Sequence, residues 1–375
     1  MSLHVRSDFY VCPNPLGMDT YTICENDCAF CFIKSYERGW QKKRAQAGLA
    51  PISTKELRNV LTKARSEKKY HDPVIQAIRY GLPVTVGRKS EPFCKAEETY
   101  HATRDALKVL DEFDIPFIVE TRETRHIVET MSKMTTKCGV NVSMLLGGGA
   151  AHDRMEPGTS EYTDRWEMIG TLKAMGMYVG LITEPFIFGL TEDWAEIEKF
   201  AMMASSYKVD HVNVGELRVT GDTVGFANRL AMAGVDLVES IRRTKDGWVP
   251  AGRKLFETFR EHNVPISSPD WVNFFAKGSC YSCCGLDKFH SSHHFTFQHA
   301  LELIQATATA DWDTMLKCNP FGPVFAEKFR KIWNGDPRYY GLTDVKDVVK
   351  LETDENGNAV YGWKECQKSL AEAFA

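Results

Sequence analysis

Short apolar runs rich in β-branched residues recur along the chain, each followed by a longer segment of helical character. The runs are Pro83–Gly87, Pro116–Thr121, Val140–Leu146, Tyr178–Thr183 and His211–Gly215. Helical stretches are expected near 53–80, 95–113, 124–136, 160–175 and 192–206. A first strand is expected near Thr20–Ile23. Strand, helix and strand at this rhythm give parallel β/α units with right-handed crossovers. Six such units make an α/β fold, a partial (β/α)6 barrel or strongly curved sheet. In such architectures chemistry sits at the C-terminal ends of the strands, so the loop after the first strand lies at that mouth. The rhythm ends near residue 270, which divides a barrel domain, 1–270, from a C-terminal extension, 271–375. In the extension His299–Thr307 and Phe321–Trp333 read as amphipathic helices, and Asp354–Asn358 as a hairpin-like turn.

The loop after the first expected strand holds Cys24, Cys28 and Cys31, spaced C-x3-C-x2-C, with Phe30 before the last cysteine. Three thiolates this close in sequence can hold three of the four irons of a cubane iron–sulfur cluster. The fourth iron then lacks a protein ligand and is open to a substrate or cosubstrate. Two blander readings stand beside this one: buried cysteines acting as small hydrophobes, and zinc.

Composition narrows the setting. The chain has 375 residues, 43% hydrophobic and 26% charged, ordinary proportions for a globular protein. No apolar run approaches the ~20 residues of a membrane span, so no membrane association is expected. Eleven cysteines without a signal-peptide core point to a reducing compartment, and a cytoplasmic location is expected. The net charge of −4 is unevenly spread. Residues 34–80 carry twelve basic residues, among them Lys42, Lys43 and Arg44, against four acidic ones. A basic strip on an acidic body fits docking of a phosphate backbone, and it fits equally a solvated helix face.

The motifs together resemble the radical S-adenosylmethionine (radical SAM) superfamily, and within it the spore photoproduct lyase-like, DNA-acting group. The resemblance rests on the cysteine loop and on Asn14–Tyr21 leading into it. It extends through Val86–Phe93 with Glu97 and Glu98, Glu120–Arg122, Met155–Ser160 with Arg165, and Gly180–Gly189, covering roughly residues 10 to 270. It implies a radical SAM barrel binding a [4Fe–4S] cluster through Cys24, Cys28 and Cys31, with S-adenosylmethionine on the open iron. It also implies a small electron-donor protein such as flavodoxin or ferredoxin as partner.

Further roles follow from the same resemblance. Ser90 and Glu91 would accept hydrogen bonds from the cosubstrate's ammonium; the pair also reads as a turn with a helix N-cap. Arg122 and Ser143 would bind its carboxylate or ribose, with Arg154 and Glu184 in the same region. Gly147–Gly149 lacks the Lys-Ser/Thr of a phosphate loop and is expected to let backbone approach the cofactor. Photoproduct lyases carry a hydrogen-donating cysteine near the cluster motif, where this chain has Phe32 after Cys31. Cys94 is the candidate substitute, and Tyr21 the candidate radical relay. The missing donor favours an isomerase of modified thymidine in bacteriophage DNA hypermodification over a dimer-repair lyase. Trp40 and Tyr70 would stack extruded bases.

The extension holds Cys280, Cys283, Cys284 and Cys318, with His290, His293, His294 and His299 between. Cys280, Cys283 and Cys318 are the preferred ligands of a second metal centre, left open between a second [4Fe–4S] cluster and zinc. That feature supports an alternative substrate, a peptide or small molecule. A non-enzymatic reading, an iron–sulfur redox or sensor protein, predicts SAM binding without cleavage.

Overall fold

The computed structural model describes residues 3–5, 14–35, 46, 48–219, 223–269, 285, 304, 309–314, 330–331, 333–335 and 348–363. They fall into two compact units. The first comprises residues 1–4, 16–62 and 83–291, and the second 5–15, 63–82 and 292–375.

The first unit is built on an eight-stranded sheet in strict chain order. Its strands are β1 (Leu3–Val5), β2 (Leu16–Met18), β3 (Val84–Val86), β4 (Phe117–Thr121), β5 (Cys138–Ser143), β6 (Tyr178–Phe186), β7 (His211–Glu216) and β8 (Ile266–Ser267). From β2 to β8 every neighbouring pair is parallel. The sequential order requires a crossover between each pair, which the helices supply. These are α1 (Thr54–Arg65), α3 (Glu97–Tyr100), α4 (Ala102–Glu112), α5 (Ile127–Met131), α6 (Gly148–Met155), α7 (Tyr162–Ala174), α8 (Trp194–Ser206), α9 (Thr223–Met232) and α10 (Leu237–Glu261); α2 (Pro73–Arg79) belongs to the second unit. Among the described residues no helix is long and apolar enough to cross a membrane.

Alternation along the strands separates two faces. One set, Val84, Val86, Phe117, Val119, Val140, Val142, Val179, Leu181, Val212 and Val214, is apolar and buried, joined near the strand ends by Thr121 and Thr183. The register aligns the other set as Thr85, Ile118 and Gly139 in one row and Asn141, Gly180 and His211 in the next. Ser143, Ile182 and Asn213 form the row nearest the strands' C-terminal ends. This second face, with Ile118 and Ile182 among smaller and polar residues, is more polar than the first and lines the lumen side of the sheet. At its N-terminal end the Tyr178 hydroxyl donates to the Gly285 carbonyl at 2.9 Å, and His211 Nε2 pairs with Ser267 Oγ at 2.8 Å.

Several boundaries differ from expectation for identifiable reasons. The strand that leads into the cysteine loop is Leu16–Met18 rather than Thr20–Ile23, because Asp19 turns to accept from the Lys89 N–H at 2.7 Å and Thr20 pairs with the Thr103 hydroxyl. The expected helix over 53–80 is two helices, α2 starting afresh where Asp72 caps Val74 and Ile75 and Pro73 takes the first position. The 95–113 helix is divided by His101 in the left-handed region, φ 54°. Gly147–Gly149 starts α6: Gly147 is its N-cap, and a Cβ there would stand 2.6 Å from that of Ala151. A Cβ at Gly148 would stand 2.8 Å from Glu196 Oε2, and one at Gly149 would meet nothing within 4 Å.

The second unit contains an antiparallel sheet ordered β10 (Val348–Thr353), β11 (Ala359–Trp363), β9 (Thr309–Ala310). Trp333 anchors it, fully buried, donating through Nε1 to the Ala359 carbonyl at 2.7 Å and meeting Tyr361 edge-on at 5.0 Å. The expected turn at Asp354–Asn358 is present, closed by an Asp354 N–H to Asn358 carbonyl bond of 2.8 Å. The helices expected at His299–Thr307 and Phe321–Trp333 lie largely outside the described residues.

Candidate active site

The cysteine loop leaves the C-terminal end of β2 and ends in a 3-10 turn, Phe32–Ser35. It is tied down on every side. Thr22 and Ala50 exchange hydrogen bonds across its base, and the Ala29 N–H reaches the Met155 carbonyl at 2.9 Å. Asn26 Nδ2 donates to Glu123 Oε1 at 3.0 Å, and Glu25 accepts from the Ala96 N–H at 2.8 Å. Glu123 in turn accepts from the Ser160 hydroxyl at 2.8 Å, binding the loop to the segments after β4 and α6.

Within this frame the three thiols converge. Cys28 is buried, Cys24 and Cys31 are half-buried, and each thiol lies within electrostatic range of the other two. Burial, then Glu91, pushes the Cys24 thiol up to about 11. Burial raises Cys28 well above the ordinary thiol range, with Arg122 pulling the other way. A metal that takes such thiols as ligands must displace their protons. Three sulfur donors on one short loop fit three irons of a cubane iron–sulfur cluster and leave the fourth open.

Ser90 and Glu91 follow β3 beside this loop. Ser90 is 3% exposed and its hydroxyl has no hydrogen-bond partner, an arrangement that proteins rarely tolerate without a ligand. Glu91 is differently placed: its carboxylate already accepts from the Thr121 hydroxyl and from the N–H groups of Phe93 and Arg122, at 3.1 and 2.9 Å. Burial, then Glu123, pushes it up to about 7.

Arg122 stands over the Phe30 ring at 5.4 Å and donates through Nε to Glu156 at 2.6 Å. The other oxygen of Glu156 takes Arg165 Nη1 at 2.8 Å, and Arg165 also binds the Ser143 carbonyl at 2.7 Å. Burial pushes Glu156 up, but the two guanidinium groups outweigh it and hold the carboxyl below its ordinary value. Ser143 ends β5, 4% exposed, on the polar face. Glu184, on β6, accepts from Asn213 Nδ2 on β7.

Three further expected site residues, Arg154, Tyr21 and Cys94, are engaged or buried within the chain. Arg154 donates at 2.9 Å to the carbonyls of both Ala233 and Gly234, so its guanidinium closes the turn after α9. Tyr21 is fully buried with its hydroxyl held by Glu97 Oε2, packed with Cys94, Ala96 and Ala102. Cys94 is equally buried; burial and then Glu25 raise its thiol far above the ordinary range. Cys280, Cys283, Cys284 and Cys318 lie outside the described residues, as do Trp40, Lys42, Lys43 and Arg44. Of the described basic strip, Lys34 pairs with Asp27, Arg58 with Glu112, and Arg79 binds the carbonyls of Ala64, Ser66 and Lys68.

No protein-family model matches the sequence, and no curated protein matches it. Solved structures do match. A variant of spore photoproduct lyase aligns over 73% of this chain and 80% of its own, at 14% identity and a TM-score of 0.50. SuiB of Streptococcus suis bound to S-adenosylmethionine matches 74% of this chain at 12% identity and a TM-score of 0.44; this chain covers only 55% of SuiB. A radical SAM methyltransferase from Sphaerobacter thermophilus matches 76% of this chain and 72% of its own, at 16% identity and a TM-score of 0.43. The chain has the fold of spore photoproduct lyase, as the motif resemblance implies.

Proposed function

We propose that this chain is a radical SAM enzyme acting on a modified thymine-type base in DNA, rearranging it as an isomerase rather than repairing a dimer as a lyase. The observation that carries the enzymatic reading is the convergence of Cys24, Cys28 and Cys31 at the C-terminal mouth of a parallel sheet, with the orphaned Ser90 hydroxyl beside them.

Cys24, Cys28 and Cys31 would hold a [4Fe–4S] cluster, and with S-adenosylmethionine on its open iron the site supplies a 5′-deoxyadenosyl radical that takes a hydrogen atom from substrate. The protein's own part is placement. Ser90 supplies an acceptor for the cosubstrate's ammonium at the end of β3. Glu91, engaged by three donors, fixes the β3 and β4 ends relative to each other. Arg122 brings positive charge against Cys28 and lowers the cost of a thiolate there. The stacked ring of Phe30 and the buried Glu156 hold Arg122 in that position.

Support for the DNA base is the motif resemblance together with the basic run over residues 34–80. A base acted on in this way must leave the stack to enter the lumen. A small flavodoxin- or ferredoxin-like protein is the proposed electron donor. The test is anaerobic reconstitution, counting of iron and sulfide, and 5′-deoxyadenosine formation with and without DNA. About four irons per chain correspond to one cluster, and about eight to two. Stimulation by DNA carrying modified thymidine supports the reading. Release of two thymines from a thymine dimer overturns the isomerase, and indifference to every DNA moves the substrate to peptides or small molecules.

A further inference from the structure

The polar face of the sheet carries a second pair of ligand-seeking groups, three strands away from Ser90 and therefore about 14 Å along the sheet at ~4.8 Å per strand. Asn213 is the third residue of β7, aligned with Ile182 of β6, and Glu184 follows Ile182 on the same face. Asn213 Nδ2 donates to Glu184 Oε1. That bond sets the amide's orientation and turns Oδ1 elsewhere, where it finds no partner although the residue is only 4% exposed. Leaving a buried acceptor unsatisfied costs about 1–3 kcal/mol.

Glu184 is half-buried and has no ion-pair partner among the described residues. Its one polar contact is the Asn213 amide. The next residue of β7 on this face is Gly215, where a Cβ would lie 3.0 Å from the Glu184 Cγ and carboxyl carbon and equally close to Pro269. The glycine lets the glutamate lie across β7 and reach Asn213. What the pair leaves over is acceptor only: the second Glu184 oxygen and Asn213 Oδ1. A neutral donor could satisfy the amide, but a cation also pairs with the half-buried carboxylate.

We propose that Glu184 and Asn213 form the receptor for a protonated amine on the substrate. This goes beyond the assignment of Glu184 to the cosubstrate, and it rests on the reading above in that substrate enters the lumen from the strands' C-terminal ends. Two of the three N–H groups of an ammonium bond the two oxygens, and its N–C bond leads to the rest of the substrate. A thymine base bearing an amino acid or aminomethyl group has this feature; an unmodified thymine lacks it.

The test uses the reconstituted, SAM-loaded enzyme under anaerobic conditions with two pairs of small probes. One is 5-aminomethyl-2′-deoxyuridine and its N-acetyl derivative. The other is glycyl-phenylalanine amide and its N-acetyl derivative. Affinities are measured by ligand-observed NMR on wild type, E184Q and N213A, with SAM affinity and far-UV circular dichroism recorded for each. The expected result is at least ten-fold preference for an amine over its acetylated twin, abolished in E184Q and weakened in N213A, with SAM affinity in E184Q within two-fold of wild type. Preference within the nucleoside pair supports both this inference and the base reading. Preference confined to the dipeptide pair keeps the amine receptor and rejects the thymine substrate. Absence of preference in both pairs, its survival in E184Q, or a ten-fold loss of SAM affinity in E184Q overturns the proposal, the last by returning Glu184 to the cosubstrate.

Discussion

Arg122 Nε lies 2.6 Å from Glu156 Oε1, joining the end of β4 to the loop after α6. Glu156 is buried to 1% exposure and is shared with Arg165, itself fully buried. One carboxylate thus compensates two guanidinium groups next to the cysteine loop. The arrangement is of the kind in which removing one partner is far worse than never having had the pair.

Glu156→Ala is accordingly expected to cost about 3–5 kcal/mol of stability, because it leaves Arg165 buried and uncompensated. Glu156→Gln keeps the shape and should cost less. The pH dependence has a definite sign. The folded-state pKa of Glu156 lies below its ordinary value of 4.5. Its contribution is therefore complete above about 4.5 and is lost as pH falls through the lower, folded value. Urea unfolding of wild type and E156Q at a series of pH values from 7 downward checks this: the stability gap should hold constant to near pH 5 and narrow below it. A gap that widens on acidification would refute the assignment.

Single Cys→Ser changes at positions 24, 28 and 31 should each remove most of the reconstituted iron while leaving far-UV circular dichroism unchanged. The loop's backbone is held by Thr22, Asn26 and Ala29 rather than by the thiols. Iron content and the dichroism spectrum of the same preparations decide it. Equal loss of both would mean that the thiols are core residues.

Much of this was legible in the chain. The five apolar runs appear as strands because each is buried on the helix-facing side and short enough to be a strand. The cysteine loop announced itself by spacing, and its place at a strand's C-terminal end followed from the β/α rhythm. Strands β1 and β8, of three and two residues, were not legible, since so few residues carry no period. Helix α6 was hidden by Gly147–Gly149, which read as a place for backbone to approach a cofactor and not as the start of a helix. Asn213 gave no signal for a related reason. Within His211–Gly215 it looks like any strand residue, and only the pairing with β6 shows that it faces Glu184. Arg154 misled in the opposite direction: its charge suggested an anion, while two backbone carbonyls far along the chain were waiting for it.

Ser90→Ala offers a contrast between stability and binding. The hydroxyl has no partner, so its removal from the protein without cosubstrate should be neutral or slightly stabilising. Its loss from the loaded enzyme should remove one charge-assisted hydrogen bond, worth about 1.5 kcal/mol or roughly ten-fold in SAM affinity. Thermal unfolding without SAM and calorimetric titration with it separate the two effects. A destabilised variant with unchanged SAM affinity would make Ser90 a purely structural residue.

Gly180 and Gly149 make opposite predictions for the same substitution. Gly180 lies on the polar face of β6, where an added Cβ would run into Asn141 Oδ1 from the neighbouring strand and approach the Tyr178 hydroxyl at 3.5 Å. Asn141 is 1% exposed, so its displacement has little room, and Gly180→Ala should destabilise by about 1–3 kcal/mol. Gly149 sits in the first turn of α6 with nothing within 4 Å of the position a Cβ would take. Alanine there gains helix propensity and restricts the unfolded chain, so Gly149→Ala should stabilise by about 0.5–1 kcal/mol. Denaturant midpoints of the two variants against wild type measure both. Because Gly180 helps to keep the lumen open between β5 and β7, G180A should also weaken binding of any ligand held there, whereas G149A should leave it unaltered. Stabilisation by both changes would mean that the polar face of the sheet is not a lumen at all.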